Sequence, residues 1–154
     1  MSTTPSPSPS PCHAWIDGAA RGNPGEAGFG LRFVDGDVVE EIAGYLGRAT
    51  NNVAEYAALV AALAYARKQN VDDLTVYSDS QLMVRQINGQ YRVKAGHLKP
   101  YYSKAVALKQ GLTRFTIAHV RREQNRDADR LANHAIDQRV ALPAWLELPG
   151  RPVG

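Results

Sequence analysis

The clearest fold signal in this chain is the stretch of residues 13–46, which reads HAWIDGAARGNPGEAGFGLRFVDGDVVEEIAGYL. They contain three runs rich in apolar, β-branched and aromatic residues, which are typical of strands, at 13–17, 28–34 and 38–46. A turn-rich stretch follows the first run, and Asp35-Gly36-Asp37 separates the second from the third. Because Asp-Gly between two such runs is a hairpin signal, the sequence predicts that strands two and three form a hairpin.

Helices and strands alternate along the rest of the chain. An Ala-rich segment with an apolar stripe predicts a helix over 53–68, and further helices are predicted over 80–87, 98–110 and 126–139. Short strands are predicted over 74–77 and 115–120. Three strands followed by helix–strand–helix–helix–strand–helix indicate an α/β fold with one mixed sheet flanked by helices.

The two ends of the chain differ in composition from its body. Residues 1–11, MSTTPSPSPSP, predict a disordered Pro/Ser-rich tail, and residues 141–154 predict a Pro-rich C-terminal tail. A length of 154 residues fits one domain, which we assign to residues 12–140. Trp145, Leu146 and Leu148 are the residues through which the C-terminal tail could dock on that domain.

Composition excludes several classes of protein. The longest apolar run has 11 residues, 56–66, whereas a membrane helix needs about 17–25. The N-terminus lacks the pattern of a secretory signal. A single cysteine, Cys12, excludes an internal disulfide and a cysteine-cluster metal site. We therefore expect a cytoplasmic, monomeric protein with no membrane partner.

The net charge of +3 conceals an asymmetry along the chain. Residues 1–84 carry 5 basic and 10 acidic side chains, whereas residues 85–130 carry 11 basic and 3 acidic. A basic segment beside an acidic one suggests a surface for a polyanion with cations held close by. Ordinary solvated surface charge is the alternative.

Four carboxylates adjoin apolar patterns, and each also has a structural explanation. Asp17 could open an Asp-Gly turn, and Asp79 could cap a helix. Glu55 could form a capping box with Asn52, although it shares a face with apolar residues. The negative charge of Asp129 could be stabilised by the helix N-terminus. This explains where Asp129 lies along the helix but not why it lies on the apolar face of the helix.

Taken together, these four residues predict a metal site. Inward-facing carboxylates are costly unless a partner or a metal ion neutralises them. An all-oxygen set of ligands suits Mg²⁺ or Mn²⁺ rather than zinc. Two such ions roughly 3.5–4 Å apart are suited to in-line phosphoryl displacement.

Four sequence blocks resemble the signature blocks of type 1 ribonuclease H, in the order of that family and each with one of these carboxylates. The blocks are DGAARGNPGEAGFG (17–30), TNNVAEYAALVAAL (50–63), YSDSQLMVRQING (77–89) and HVRREQNRDADRLAN (119–133). The resemblance implies the ribonuclease H-like fold, a five-stranded mixed sheet whose first three strands are antiparallel. It also implies a metal-dependent endonuclease that cleaves the RNA strand of RNA–DNA hybrids and leaves 5′-phosphate and 3′-hydroxyl ends.

The resemblance also implies roles for individual residues. Asp17 corresponds to the carboxylate that bridges two metal ions. Glu55 and Asp79 correspond to the other ligands of the ion on the leaving-group side, and Asp129 to the ligand of the ion on the side of the attacking water.

Four further residues lie where the family contacts its substrate. Asn23, Asn51 and Gln81 match positions that read the minor groove and the RNA 2′-hydroxyls, which amides can recognise as donor and acceptor. Thr50 matches a contact to a phosphate of the DNA strand. The alternatives are a turn residue for Asn23 and helix caps for the other three.

Two auxiliary residues, His119 and Asn125, are ambiguous. A histidine ten residues before the last carboxylate assists proton transfer or product release in part of the family. Here the loop after His119 reads RREQN and lacks the Gly-His-rich sequence of that subgroup, so His119 could be a strand residue alone. Asn125 matches a family asparagine near the site and is also the predicted cap of the last helix.

Residues 88–100, NGQYRVKAGHLKP, are too short for the long basic protrusion of many bacterial relatives. A reduced basic and aromatic patch could replace it, or the stretch could be a solvated loop and helix face. The residues of this predicted patch are Arg92, Lys94, Lys99, Lys104, Tyr91, Tyr101 and Tyr102. The shortened stretch leaves cleavage of double-stranded RNA open as a side activity.

Other functions remain as alternatives at this point. A nuclease of the same fold could act on double-stranded RNA or branched DNA. A catalytically silent hybrid- or RNA-binding module is a second class, which the complete set of four carboxylates disfavours. The chain could also be one domain of a larger protein, such as a reverse transcriptase or a ribonuclease H–phosphatase fusion.

Overall fold

A computed structural model describes residues 11–150 and contains one five-stranded sheet with the order β3-β2-β1-β4-β5. The strands are β1 Cys12–Gly22, β2 Gly25–Asp35, β3 Val38–Ala49, β4 Asp73–Ser78 and β5 Arg114–His119. The first three strands are antiparallel, whereas β4 runs parallel to β1 and β5 parallel to β4. The predicted mixed sheet is confirmed. The predicted N-terminal tail, apart from Pro11, lies outside the described residues.

Helices cover both faces of the sheet. They are α1 Asn51–Lys68, α2 Gln81–Ile87, α3 Lys99–Lys109 and α4 Arg126–Asp137, with 3₁₀ turns at Gly96–Leu98 and Arg122–Gln124. The largest core lies between the sheet and α1, which contacts β1, β2 and α3. Helix α4 packs on β1, β2 and β3, and its buried residues do not belong to that core. Within residues 11–150, no helix is long and apolar enough to cross a bilayer.

Strand β1 is longer than the sequence predicts. It continues through Asp17 to Gly22 because β2 pairs with it along its whole length, from His13 opposite Val34 to Gly22 opposite Gly25. The turn-rich stretch therefore forms most of a hairpin, and the tight turn is limited to residues 23–24. Asp17 lies inside a strand, so its interpretation as a turn residue is wrong.

The helix starts also differ from their predicted positions. Helix α1 begins at Asn51, and the Thr50 hydroxyl accepts the cap hydrogen bond from the backbone N–H of Val53. The predicted capping box with Glu55 is therefore wrong, since Glu55 lies beyond the first turn. Helix α2 is capped by the hydroxyl of Ser80, which accepts from Met83, so Asp79 is not the cap. Neither Glu55 nor Asp79 therefore has the capping role that was the structural alternative to a role in the site.

Helix α4 lies directly on the sheet because β2 carries glycines beneath it. A Cβ added at Gly30 would lie 2.4 Å from the carbonyl oxygen of Ala128, and one added at Gly28 would lie 3.0 Å from that of Ala132. Any larger residue at Gly30 would push the helix away from the strand. The spacing between α4 and β1, on which the site depends, therefore follows from these glycines.

Residues after α4 pack back on the body of the protein. The backbone N–H of Tyr45 in β3 donates to the backbone oxygen of Val140 at 2.8 Å. Leu146 and Leu148 are buried in the main core, and the Trp145 ring lies 5.4 Å from that of Tyr65. The three apolar residues that the sequence indicated as docking points all make contacts with the body.

Candidate active site

Two of the four carboxylates meet because adjacent parallel strands bring them to the same level of the sheet. In the β1–β4 pair, Ile16 lies opposite Ser78, so Asp17 is the next residue of β1 and Asp79 is the residue that directly follows the end of β4. Asp17 is buried and Asp79 is half-buried. The register between two strands that are distant in sequence therefore brings the first two carboxylates of the site together.

Helix α1 brings the third carboxylate, Glu55, through an unusually close contact with β1. A Cβ added at Gly18 would lie 2.2 Å from the backbone carbon of Ala54, so only glycine fits there. The backbone N–H of Gly18 donates to Oδ1 of Asp17 at 3.0 Å and to Oε2 of Glu55 at 3.2 Å. A single peptide group therefore orients two carboxylates from different elements.

The resulting cluster is crowded with negative charge. Ligand oxygens of Asp17, Glu55 and Asp79 all lie within 4.8 Å of one another. Burial, the charge of Asp79 and the neighbouring Asp129 raise the pKa of Asp17 to about 8. Burial, followed by the charges of Asp17 and Asp79, also raises the pKa of Glu55. These carboxylates fit a divalent metal ion, whose positive charge would offset the burial and the like-charge repulsion that raise both pKa values.

The fourth carboxylate, Asp129, comes from the opposite face of the sheet. It lies in the first turns of α4, is half-buried and interacts directly with Asp17. It does not belong to the tight group of three, and its Oδ1 accepts a hydrogen bond from Nδ2 of Asn133 at 3.3 Å. The geometry therefore consists of a tight group of three carboxylates, two of them buried, with a fourth carboxylate at its side.

Asn125 is close to the site, but its side chain does not cap α4. It occupies the cap position without a side-chain cap bond, so that part of the prediction is wrong. Its Nδ2 donates instead to the backbone oxygen of Ile16 at 2.8 Å, and the residue is 1% exposed. Asn125 thereby joins the start of α4 to β1 immediately before Asp17.

The predicted substrate-binding residues gather at two helix starts. Oδ1 of Asn23 accepts from the backbone N–H of Asn51 at 3.1 Å, which holds the β1–β2 turn against the start of α1 beside the cap residue Thr50. Asn51 is the exposed first residue of α1, and Gln81 is the exposed first residue of α2. Neither Asn51 nor Gln81 is a cap, so both amides are available to a ligand.

His119 is the last residue of β5 and is exposed. Its backbone lies opposite Ser78, the residue before Asp79. Within residues 11–150, no side-chain hydrogen bond holds its ring. The structure thus places His119 near the edge of the cluster without fixing its orientation.

A groove of about 490 Å³ runs beside α2, and we call it the α2 groove. Its lining residues are Asn52, Leu82, Gln86, Gln90, Tyr91, Arg92, Lys94, Ala95 and Leu98. Leu82 and Tyr91 are 43% and 48% exposed, and Arg92 and Lys94 are also exposed. The groove therefore combines cationic and flat apolar surface.

The predicted basic patch is only partly present in the α2 groove. Tyr101 is buried and Tyr102 packs against the main core, so these two aromatic residues cannot act as an exposed stacking surface. Lys104 pairs with Glu147 of the C-terminal segment at 3.7 Å. Both differences have one cause, because α3 turns these side chains toward α1 and the C-terminal segment.

Sequence reasoning missed two contributors to the site. Gly18 acts through its backbone N–H, and the only sequence signal was its place directly after Asp17. Asn133 lies four residues after Asp129, a spacing that places two side chains on the same helix face. That spacing was visible in the sequence, whereas the contact with the carboxylate was not.

Comparison with known proteins identifies the family. Residues 16–135 match the family model described as Reverse transcriptase-like. The chain is 44% identical over 127 residues to Ribonuclease HI of Halobacterium salinarum, covering 81% of this chain and 64% of that relative. The crystal structure of RNase H1 from the same archaeon superposes with a TM-score of 0.80 at 42% identity, covering 84% of this chain and 99% of that one.

A second solved structure carries a nucleic acid. LC11-RNase H1, in complex with an RNA/DNA hybrid, superposes with a TM-score of 0.78 at 38% identity, covering 83% of this chain and 98% of that one. This chain spans about two thirds or less of the curated relatives it matches first, and only 34% of the mycobacterial ones. The order of the four blocks, the sheet topology and the matches all agree, and the chain belongs to the type 1 ribonuclease H family.

Proposed function

We propose that the protein is an endonuclease that hydrolyses the RNA strand of RNA–DNA hybrids and leaves 5′-phosphate and 3′-hydroxyl ends. The observation that carries this proposal is the tight group of Asp17, Glu55 and Asp79, two of them buried, whose ligand oxygens lie within 4.8 Å of one another. A pure binding module would gain nothing from such a repulsive acidic group facing phosphates. The complex of LC11-RNase H1 with an RNA/DNA hybrid supports the choice of substrate.

We further propose that the site uses two Mg²⁺ ions, for which Mn²⁺ can substitute. When bound, such ions supply charge stabilisation to the attacking and leaving oxygens of a phosphodiester. Asp17 would contact both ions, Glu55 and Asp79 the one on the leaving-group side, and Asp129 the other. The central place of Asp17 supports this assignment, since it interacts with the other three carboxylates.

Substrate recognition is assigned to the surface around the cluster. The exposed amides of Asn51 and Gln81 can each donate to and accept from a 2′-hydroxyl, which distinguishes RNA from DNA. Asn23 and Thr50 hold the start of α1 in place beside them and complete this predicted surface. The cations of the α2 groove, Arg92 and Lys94, would contact phosphates.

Three finer points stay predictions. Activity on double-stranded RNA is kept as a side activity because the basic stretch after α2 is short. A cytoplasmic location and a monomeric state rest on the sequence argument alone. So does the assignment of residues 1–11, 12–140 and 141–154 to a tail, a domain and a second tail.

The test is a cleavage assay on end-labelled substrates. RNA–DNA hybrid, double-stranded RNA and double-stranded DNA are each incubated with Mg²⁺, Mn²⁺ or EDTA, beside an identically purified Asp17→Asn variant that controls for contaminating nuclease. We expect the RNA of the hybrid to be cut with either metal and nothing to be cut in EDTA. Failure to cut any substrate would favour a binding module, and cleavage of double-stranded RNA alone would reassign the substrate.

A further inference from the structure

We infer that Asn133 is a positioning residue for the Asp129 carboxylate, and that Arg21 and Asp137 hold Asn133 in the orientation this requires. The inference rests on the proposed function, in which Asp129 is a metal ligand. It concerns the one proposed ligand that lies outside the tight group of three.

The backbone of α4 near Asp129 is already fixed by other contacts. Gly30 lets the helix lie directly on β2 at Ala128, and Asn125 ties the helix start to the backbone of Ile16. The backbone N–H of Asp129 itself donates to the oxygen of Asn125 at 3.1 Å. The remaining freedom is the rotation of the half-buried Asp129 side chain, which these contacts do not determine.

Asn133 restricts that rotation. Its Nδ2 donates to the backbone oxygen of Asp129 at 3.0 Å and to the carboxylate Oδ1 at 3.3 Å. Only the NH₂ end of the amide can make these contacts, because a flipped amide would turn its oxygen toward two acceptors. The positioning therefore requires that the Asn133 amide be held in one of its two orientations.

Arg21 supplies the group that selects this orientation. Its Nη2 donates to Oδ1 of Asn133 at 3.4 Å and lies 2.7 Å from Oδ1 of Asp137. A guanidinium has donors only, so it donates to the oxygen end of the amide and disfavours the NH₂ end, which cannot accept from it. Asp129, Asn133 and Asp137 lie four residues apart on one face of α4, and Arg21 reaches that face from the end of β1.

These contacts act on orientation rather than on folding. Arg21 and Asp137 have side chains that are 45% and 54% exposed, and such surface pairs typically contribute only about 0–1 kcal/mol to stability. Partners that orient a metal ligand, in contrast, typically change metal affinity or activity by about 10–100-fold. We therefore expect altered metal dependence in a protein of nearly unchanged stability.

The experiment compares Asn133→Ala, Asn133→Asp, Arg21→Ala and the double variant Arg21→Ala/Asn133→Ala with the wild type. Arg139→Ala is the matched control, since Arg139 is an exposed arginine paired with Glu26 at 3.2 Å and does not touch Asn133. Four quantities are measured: kcat and KM on the hybrid, Mn²⁺ affinity by calorimetry without nucleic acid, and the thermal unfolding midpoint. Asp129→Ala is included as a reference for the proposed function.

We expect Asn133→Ala to lower kcat and weaken Mn²⁺ binding by roughly 10-fold, with KM and the unfolding midpoint near wild type. Asn133→Asp keeps the size but replaces the NH₂ donor with an acceptor, so its loss should exceed that of alanine. Arg21→Ala should have a smaller effect that disappears when Asn133 is already alanine, because groups that act in series are not additive.

The outcomes separate this inference from the function on which it rests. If Asp129→Ala cleaves like the wild type, the role assigned to Asp129 fails, and the inference fails with it. If Asp129→Ala is inactive but Asn133→Asp matches the wild type in kcat and Mn²⁺ affinity, the inference alone is overturned. Additive effects of Arg21→Ala and Asn133→Ala, or equal effects of Arg139→Ala, would also contradict it.

Discussion

The acidic cluster and the α2 groove are built in opposite ways. The cluster brings together carboxylates from β1, from α1 and from the residue after β4. Two of them are buried and are oriented by the same backbone N–H of Gly18. The groove displays Arg92, Lys94, Leu82 and Tyr91 to solvent beside one short helix. The proposed metal site and the proposed phosphate-binding surface therefore place different structural demands on the same fold.

Charge along the sequence follows the same division. Residues 1–84 carry three of the four proposed metal ligands and have an excess of acidic side chains, while residues 85–130 carry the groove cations. Buried like charges are costly, so packing and hydrogen bonds must hold them in place. Exposed cations that meet a phosphate backbone tolerate movement, because their attraction has a longer range.

The largest effect on hydrolysis is expected when the central carboxylate of the cluster, Asp17, is replaced. Asp17→Asn should lower hydrolysis at saturating Mg²⁺ by at least about 10³-fold, since it removes the carboxylate proposed to contact both ions. Hybrid binding by the groove should remain within about twofold, because the groove cations are untouched. Turnover and fluorescence-anisotropy binding are measured beside Asp37→Asn, an exposed hairpin residue, and substantial residual turnover would refute the assignment.

Without a bound metal ion, the acidic cluster should lower the free energy of unfolding at high pH. Because the folded-state pKa of Asp17 is raised to about 8, its protonated form favours the native state. The metal-free protein should therefore lose stability as pH rises from about 4, the unfolded pKa, through 8. Asp17→Asn should be more stable than the wild type at pH 8, by on the order of 2 kcal/mol.

Denaturant unfolding in EDTA at pH 5 and pH 8 tests this sign, with Asp37→Asn again as the control. Added Mg²⁺ at pH 8 should stabilise the wild type more than Asp17→Asn, because the variant has lost a ligand. If the wild type is equally stable at both pH values in EDTA, the carboxylates do not destabilise the folded state and the prediction is wrong.

The third prediction addresses the groove. Arg92→Ala combined with Lys94→Ala should raise KM for the hybrid by roughly 5–10-fold and leave kcat nearly unchanged. The slope of log affinity against log salt should become shallower by about 1–2, as expected when two phosphate contacts are lost. Arg67→Ala combined with Lys68→Ala, at the far end of α1, is the matched control, and an unchanged salt slope would exclude the groove from phosphate contact.

The smallest effect is expected at His119. A residue that provides general acid–base catalysis contributes about 10²–10⁴-fold, whereas we expect His119→Ala to keep kcat within about threefold. The reason is its exposed position at the end of β5 without a side-chain hydrogen bond among residues 11–150. A 100-fold loss of kcat at unchanged KM would instead add His119 to the chemistry of the cluster.

Much of the fold could be predicted because its signals are local. The alternation of apolar residues, the Asp35-Gly36-Asp37 hairpin and the Ala-rich run of α1 each act over a few residues. The errors occurred where a distant segment decides the local structure. Strand β1 extends past Asp17 because β2 pairs with it, and the side chain of Asn125 leaves its own helix to reach a backbone oxygen 109 residues away.

The sequence alone predicted the four carboxylates as candidates for the site, since acidic residues on apolar patterns are unusual enough to stand out, and the structure brings three of them together. The sequence also determined the family, because four spaced blocks are too specific to arise together by chance. The tertiary structure was needed to show which three carboxylates form the tight group, that Gly18 orients two of them, and that Asn133 contacts Asp129. Strand register and the close approach of helices to glycines set those distances, and both depend on contacts between residues far apart in the chain.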